Sequence, residues 1–183
     1  MKSRIFTLLM ISSIISSLTL LTSCSGRRFD KRWSSKRSHS KLYVTDKHLE
    51  KVTSAWPKSS KNAIRYLKTK YGLPTSMTEG MVIWENTPPF KKSIVYKEQV
   101  KQLFPYPHND VLQQTISYKV PLNKVSELTK FDGSLIVDRT KGEISTRNDT
   151  EEMNFLCLNL ADQIAKGLMS AEEARRIYTT NAE

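Results

Sequence analysis

Residues 111–120 read Val-Leu-Gln-Gln-Thr-Ile-Ser-Tyr-Lys-Val, and this run decides the fold class. β-Branched and aromatic side chains dominate it, and Pro107 to Asp110 on one side and Pro121 on the other supply turn formers that close both ends. Such residues favour the pleated, half-buried backbone of a sheet. Two shorter upstream stretches share the composition: Gly80 to Trp84 (Gly-Met-Val-Ile-Trp) and Ser93 to Lys97 (Ser-Ile-Val-Tyr-Lys). Downstream, Ser134 to Arg139 and Glu143 to Arg147 flank Thr140-Lys141-Gly142, a hairpin signal in which Gly142 can take positive φ. The pattern predicts four or five mainly antiparallel strands, with a short helix over about Leu122 to Lys130.

Helical periodicity frames this sheet on both sides. Asp46 can cap a first helix in which Leu49, Val52 and Trp56 share a face. A second helix can begin with Pro57 at its first position, turn Ala63, Ile64 and Leu67 inward, and stop at Gly72 before Pro74. Near the C-terminus, Asp149 with Glu152 forms a D-x-x-E capping pattern ahead of Met153, Leu156, Cys157, Leu160, Ala161 and Ile164, with a break at Gly167. Ser170 with Glu173 repeats the device for a last helix that buries Ala174, Ile177 and Tyr178. Helices at both ends of a run of strands predict a single α+β domain over residues 46–183, with one face of the sheet covered.

The chain has 183 residues and a formal net charge of +11. A basic protein raises nucleic acid as a partner, because phosphate binding needs clustered Lys and Arg. Here the clustering argues otherwise. Residues 24–47 hold eight Lys and Arg against two Asp, and Lys2 and Arg4 precede them, which leaves residues 48–183 only +3. Nucleic acid is therefore not expected as a partner.

Met1-Lys2-Ser3-Arg4 is a short cationic start, followed by a 17-residue segment, Ile5 to Leu21, dominated by Ile, Leu, Phe and Met and diluted with Ser and Thr. This is the pattern of a secretory signal, and it falls short of the roughly 20 apolar residues that span a bilayer. It ends in Leu21-Thr22-Ser23-Cys24, which resembles the lipobox of bacterial lipoproteins: an aliphatic residue, two small ones and the cysteine that receives lipid. The resemblance implies cleavage after residue 23, three acyl chains on Cys24 and stable attachment to a membrane, since one chain binds marginally and two hold. Ser25 takes the place where Asp resembles an inner-membrane retention signal, so the outer membrane is favoured in a two-membrane bacterium. Residues 24–45 then read as a disordered basic tether. Its cations Arg27, Arg28, Lys31, Arg32, Lys36 and Arg37, interleaved with Phe29 and Trp33, either lie on anionic lipid headgroups or form a solvated spacer.

Chemistry is sparse in the folded part. No C-x-x-C or H-x-x-x-H pair suggests a metal, and no Gly-rich phosphate loop, G-x-S-x-G elbow or internal repeat occurs, so neither metal nor cofactor is expected. One loop is suggestive: Phe104-Pro105-Tyr106-Pro107-His108-Asn109-Asp110. His108 could serve as a general base oriented by Asp110, or Phe104, Tyr106 and His108 could hold a small ligand. The plainer reading, favoured here, is a Pro-stiffened turn, because general-base work also needs a nucleophile and a charge stabiliser. Arg139, Lys141 and Arg147 crowd charge around the predicted hairpin and are candidates for an anionic or peptide ligand; a solvated tip is the simpler expectation. Cys157, on an apolar stripe, is expected as a small buried core residue and not as a nucleophile.

Residues 75–180 are also similar to a group of bacterial exported proteins without a known activity, through Gly80 to Asn86, Phe104 to Pro121, Phe131 to Arg147 and Glu151 to Ala161. That resemblance implies one domain and transfers no site. The sequence thus points to a membrane-anchored lipoprotein of the cell envelope whose domain binds a ligand or another envelope protein. The alternative is a hydrolase-like enzyme using His108 and Asp110.

Overall fold

A computed structural model describes residues 43–181. The expected signal, Cys24 and the tether cations Arg27, Arg28, Lys31, Arg32, Lys36 and Arg37 lie outside the described residues. Two helices, α1 (Asp46–Thr53) and α2 (Lys58–Tyr71), precede strands β1 (Ser76–Met77), β2 (Met81–Thr87), β3 (Phe90–Gln102) and β4 (His108–Ser117). A 3-10 turn over Leu122–Lys124 leads into α3 (Val125–Phe131), followed by β5 (Ile136–Asp138), β6 (Glu143–Asn148), α4 (Glu151–Ala165) and α5 (Ala171–Asn181). The strands form one antiparallel sheet in the order β1-β2-β3-β4-β6-β5.

The α+β class is as the sequence predicts, but the sheet has six strands where four or five were expected. The additional one, β1, is two residues long and is made by a turn in which Thr78 Oγ1 accepts from the N–H groups of Gly80 and Met81. No periodicity can announce so short a strand. Two caps are displaced by one residue. Thr45, not Asp46, accepts the His48 N–H at 3.3 Å, and Asp46 sits in the first turn of α1, where it pairs with Lys68. Thr150, not Asp149, accepts the Met153 N–H at 3.3 Å. Ser170 caps α5 as expected, accepting from Glu173 N–H at 3.1 Å. Pro57 stands just ahead of α2, and Gly72 at φ 80° ends that helix with its N–H on Lys68 O. Val44, just ahead of α1, is buried against the apolar cluster beneath α1 and α2.

Strand register explains the layering. Val82, Val95, Leu112 and Asn148 lie in one row across β2, β3, β4 and β6, and Trp84, Ser93, Gln114 and Thr146 lie in the next row on the same face. The helices stand on this face. α1 and α2 cover the β2 to β4 side and close an apolar cluster around Leu49, Trp56, Leu67, Val82, Trp84 and Leu112. α3, α4 and α5 close a second cluster around Phe90, Leu128, Phe131, Ile144, Ile164 and Tyr178. Each fully buried Leu or Phe contributes roughly 1.5–3 kcal/mol, so these clusters supply the main driving force. Between them runs a polar seam of Ser93, Gln114, Thr146, Asn148, Glu151 and Asn154, all buried.

Candidate functional site

The loop singled out by sequence closes on itself. β3 is prolonged past Lys97 by a register shift between Val95 and Val100, and its pairing resumes at Val100↔Asp110 and Gln102↔His108. That pairing brings His108 Nε2 within 3.0 Å of Asp110 Oδ1, with both side chains about 95% buried. The other ring nitrogen, Nδ1, lies 2.7 Å from the Tyr106 carbonyl and therefore donates to it. The carboxylate contact is close but poorly aligned, because Asp110 Oδ1 has no hydrogen-bond partner by geometry. Acceptors at both nitrogens favour the imidazolium. The Asp110 carboxylate, assisted by the Tyr106 carbonyl, raises the His108 pKa against the opposing effect of burial. Burial pushes Asp110 the opposite way, up, with His108 pulling it down. For the pair we favour the charged histidine, since two facing acceptors outweigh one desolvated ring.

Phe104 and Tyr106 do not frame an open pocket beside this pair. Phe104 is tucked between the Tyr178 ring, centroids 5.6 Å apart, and the Arg175 guanidinium 3.7 Å above it. Tyr106 stacks on His108 itself at 5.1 Å. A general base needs a lone pair within reach of a substrate proton, and here both ring nitrogens of His108 face acceptors of the protein itself with the side chain about 95% buried. The hairpin candidates are placed elsewhere. Arg139 and Lys141 sit at the tip joining β5 and β6, with Lys141 3.7 Å from Asp138, while Arg147 lies on the helix-free face, 4.2 Å over the Tyr96 ring and donating to Glu98 O. Tyr106 and His108 are thus in contact, whereas Arg139 and Lys141 at the hairpin tip and Arg147 beside Tyr96 stand apart from them. Gly142 takes φ 67°, as the hairpin reading expects.

Cys157 is buried, as expected of its stripe, but it is not in a purely apolar setting. Its thiol donates to Asp132 Oδ2 at 3.6 Å and accepts from Thr146 Oγ1 at 3.3 Å. Burial first, then the negative charge of Asp132, pushes the thiol well above its ordinary pKa. A protonated, enclosed thiol is a poor nucleophile.

The most developed polar arrangement is one that the sequence reading did not single out. Glu151, the first residue of α4, is almost fully buried and accepts from Gln114 Nε2 at 2.6 Å, from the Tyr71 hydroxyl at 3.1 Å, and from Lys70 Nζ. The ammonium of Lys70 lies within about 6 Å of the Tyr66, Tyr71 and Phe155 rings, and the carboxylate of Glu151 raises its pKa. Gln114 carries the network on to Ser93 Oγ and Asn154, and Asn154 Nδ2 also donates to Leu112 O. This hub ties α2, β4 and α4 together across the polar seam. Beside it, a cleft of about 260 Å³ opens between α2 and the start of α4, floored by Ala63 and Leu112 and walled by Ser59, Asn62, Tyr66, Asp149 and Glu152. That volume falls just below the roughly 300–1,000 Å³ of most ligand pockets.

No family model, curated protein or solved structure matches this chain. The likenesses read in the sequence therefore stand as expectations, and function has to be argued from the residues. Among the described residues no helix is long and apolar enough to cross a membrane, and no group of three His, Cys, Asp or Glu side chains could hold a metal ion. The Glu151 hub left one trace in the sequence: Tyr66, Lys70 and Tyr71 recur at helical spacing on α2. Their partner stands 80 or more residues away, beyond the reach of any local pattern.

Proposed function

We propose that this chain is a lipid-anchored protein of a bacterial cell envelope whose folded domain acts by binding a ligand or another envelope protein, and not by catalysis. The anchoring half is supported by Leu21-Thr22-Ser23-Cys24 at the end of an apolar segment that starts at Ile5. Three acyl chains on Cys24 hold a protein to a bilayer far beyond the marginal binding of one, and Ser25 directs the proposal towards an outer membrane. The observation that carries the binding half is the state of the His108–Asp110 pair, about 95% buried with both imidazole nitrogens facing acceptors. Cys157 is enclosed in the same way. The cleft between α2 and α4 is the opening best suited to a ligand, because it joins an apolar floor to hydroxyl, amide and carboxylate walls.

Expression of the full chain as native and as Cys24→Ala in a bacterium fed labelled palmitate tests the anchor. The native chain takes up label and shortens by the length of the signal, while the variant stays at precursor size without label. Equal size and labelling in the two would overturn the proposal.

A further inference from the structure

The ammonium of Lys70 occupies an aromatic cage. Its Nζ stands 5.6 Å from the Tyr66 ring centroid, 5.3 Å from that of Tyr71 and 6.0 Å from that of Phe155, and the Glu151 carboxylate accepts from it. Aromatic rings attract a cation through the negative faces of their π-systems, and a buried carboxylate adds a full charge to that attraction. The cage is held by contacts other than those to the lysine that fills it. Phe155 lies against the Phe90 ring at 4.8 Å, the Tyr71 hydroxyl donates to Glu151 at 3.1 Å, and the Tyr66 hydroxyl donates to Glu152 at 3.1 Å. Gln114 fixes Glu151 itself at 2.6 Å. Lys70 is the loose member: its side chain is 43% exposed against 1% for Glu151, so it can swing into water while the cage stays.

The cleft between α2 and α4 shares Tyr66 and Glu151 with this cage. Its walls also carry Asp149 and Glu152, and no lysine or arginine among the described residues lines it, so its charge favours a cation. Its floor, Ala63 and Leu112, is apolar and suits a short hydrocarbon stem. Resting on the cleft proposed above as the ligand site, we infer that it binds a small primary alkylammonium, whose head replaces Lys70 Nζ in the cage while its stem lies along the apolar floor. A primary head fits because Glu151 then keeps the N–H donor that Lys70 supplies; a quaternary head has none to give. Lys70 is a placeholder that keeps the buried carboxylate paired when no ligand is bound. An ion pair with so exposed a cation is worth up to about fivefold in an equilibrium, so a ligand displaces it at little cost.

The test titrates butylammonium, and its uncharged counterpart 1-butanol, into the full chain as native, Lys70→Ala and Lys61→Ala, followed through the NMR signals of Leu112, Tyr66 and Phe155. The native chain is expected to bind the ammonium about tenfold more tightly than the alcohol, with all three residues shifting. Lys70→Ala removes the competing head and leaves Gln114 and Tyr71 on Glu151, so it should bind butylammonium about two- to fivefold more tightly and 1-butanol as before. Lys61→Ala, which takes the same charge from α2 outside the cage, should change neither affinity. Equal affinity for the two probes overturns the cation site and leaves the cleft standing as an apolar slot. Ammonium binding that Lys70→Ala leaves unchanged or weakens, or that Lys61→Ala tightens equally, overturns the cage as the place of the head. If neither probe moves Leu112, the inference and the cleft as ligand site both fail.

Discussion

Replacing Glu151 by alanine should destabilise the domain by about 3 kcal/mol, mainly because buried donors lose their acceptor. Gln114 is fully buried and gives one of its amide hydrogens to Glu151 at 2.6 Å; without the carboxylate that hydrogen points at no acceptor. A buried donor left unsatisfied costs about 1–3 kcal/mol. The half-buried Tyr71 hydroxyl, at 3.1 Å, contributes less, and a carboxylate in the first turn of α4 contributes roughly 0.3–1 kcal/mol through the helix dipole. The Lys70 ammonium is 43% exposed and regains water, so its share is discounted to that of a surface pair. For a domain of this size 3 kcal/mol corresponds to a fall in Tm of roughly 10 °C. Urea titration of the full chain, followed through the buried Trp56 and Trp84, measures the change. Lys70→Met should cost less than Glu151→Ala, since Gln114 and Tyr71 still serve the carboxylate. If Glu151→Ala loses less than about 1 kcal/mol at an unchanged denaturant slope, the reasoning about a closed buried network fails.

Three other outcomes follow from the same geometry. The His108 ring should titrate above its ordinary value of 6.5 by NMR; because the folded pKa is raised, its stabilising contribution is complete below 6.5 and fades as pH rises through the folded value, and a titration below 6.5 would contradict the assigned acceptors. Cys157 should ignore a thiol reagent in the native Cys24→Ser chain and react once in denaturant, so rapid native labelling would show that the thiol is not enclosed. Gly142→Ala should lose about 1 kcal/mol from the φ of 67° alone, since the added methyl meets no atom within 4 Å; a neutral effect in urea titration would mean that the hairpin turn relaxes.

What was legible in the sequence is what local chemistry writes. The Gly142 hairpin and the stop at Gly72 appear where their residues predict, and the β-branched run at 111–120 does form a strand, although it starts three residues earlier at His108 and ends at Ser117. Local chemistry also explains the errors. Asp149 and Thr150 are both competent N-caps, and only the backbone angles of the finished structure choose Thr150. β1 and the charged continuation of β3 to Gln102 owe their strand form to their neighbours, not to their own propensity. The site was less legible than the fold. Proximity in the loop did bring His108 and Asp110 into contact, but no local pattern shows that Tyr106 packs over the ring and that the pair is buried. A buried glutamate held by a helix 80 residues earlier has no local signature at all.

The charge distribution gives the lipid reading its weight: a nearly neutral body preceded by a strongly cationic stretch and a short apolar segment ending in cysteine. The most direct measurement is the intact mass of the N-terminal peptide of the protein isolated from membranes. The account predicts a peptide that begins at Cys24 and carries diacylglycerol and a third acyl chain. A peptide that begins at Met1, or at any residue with Cys24 unmodified, would contradict it.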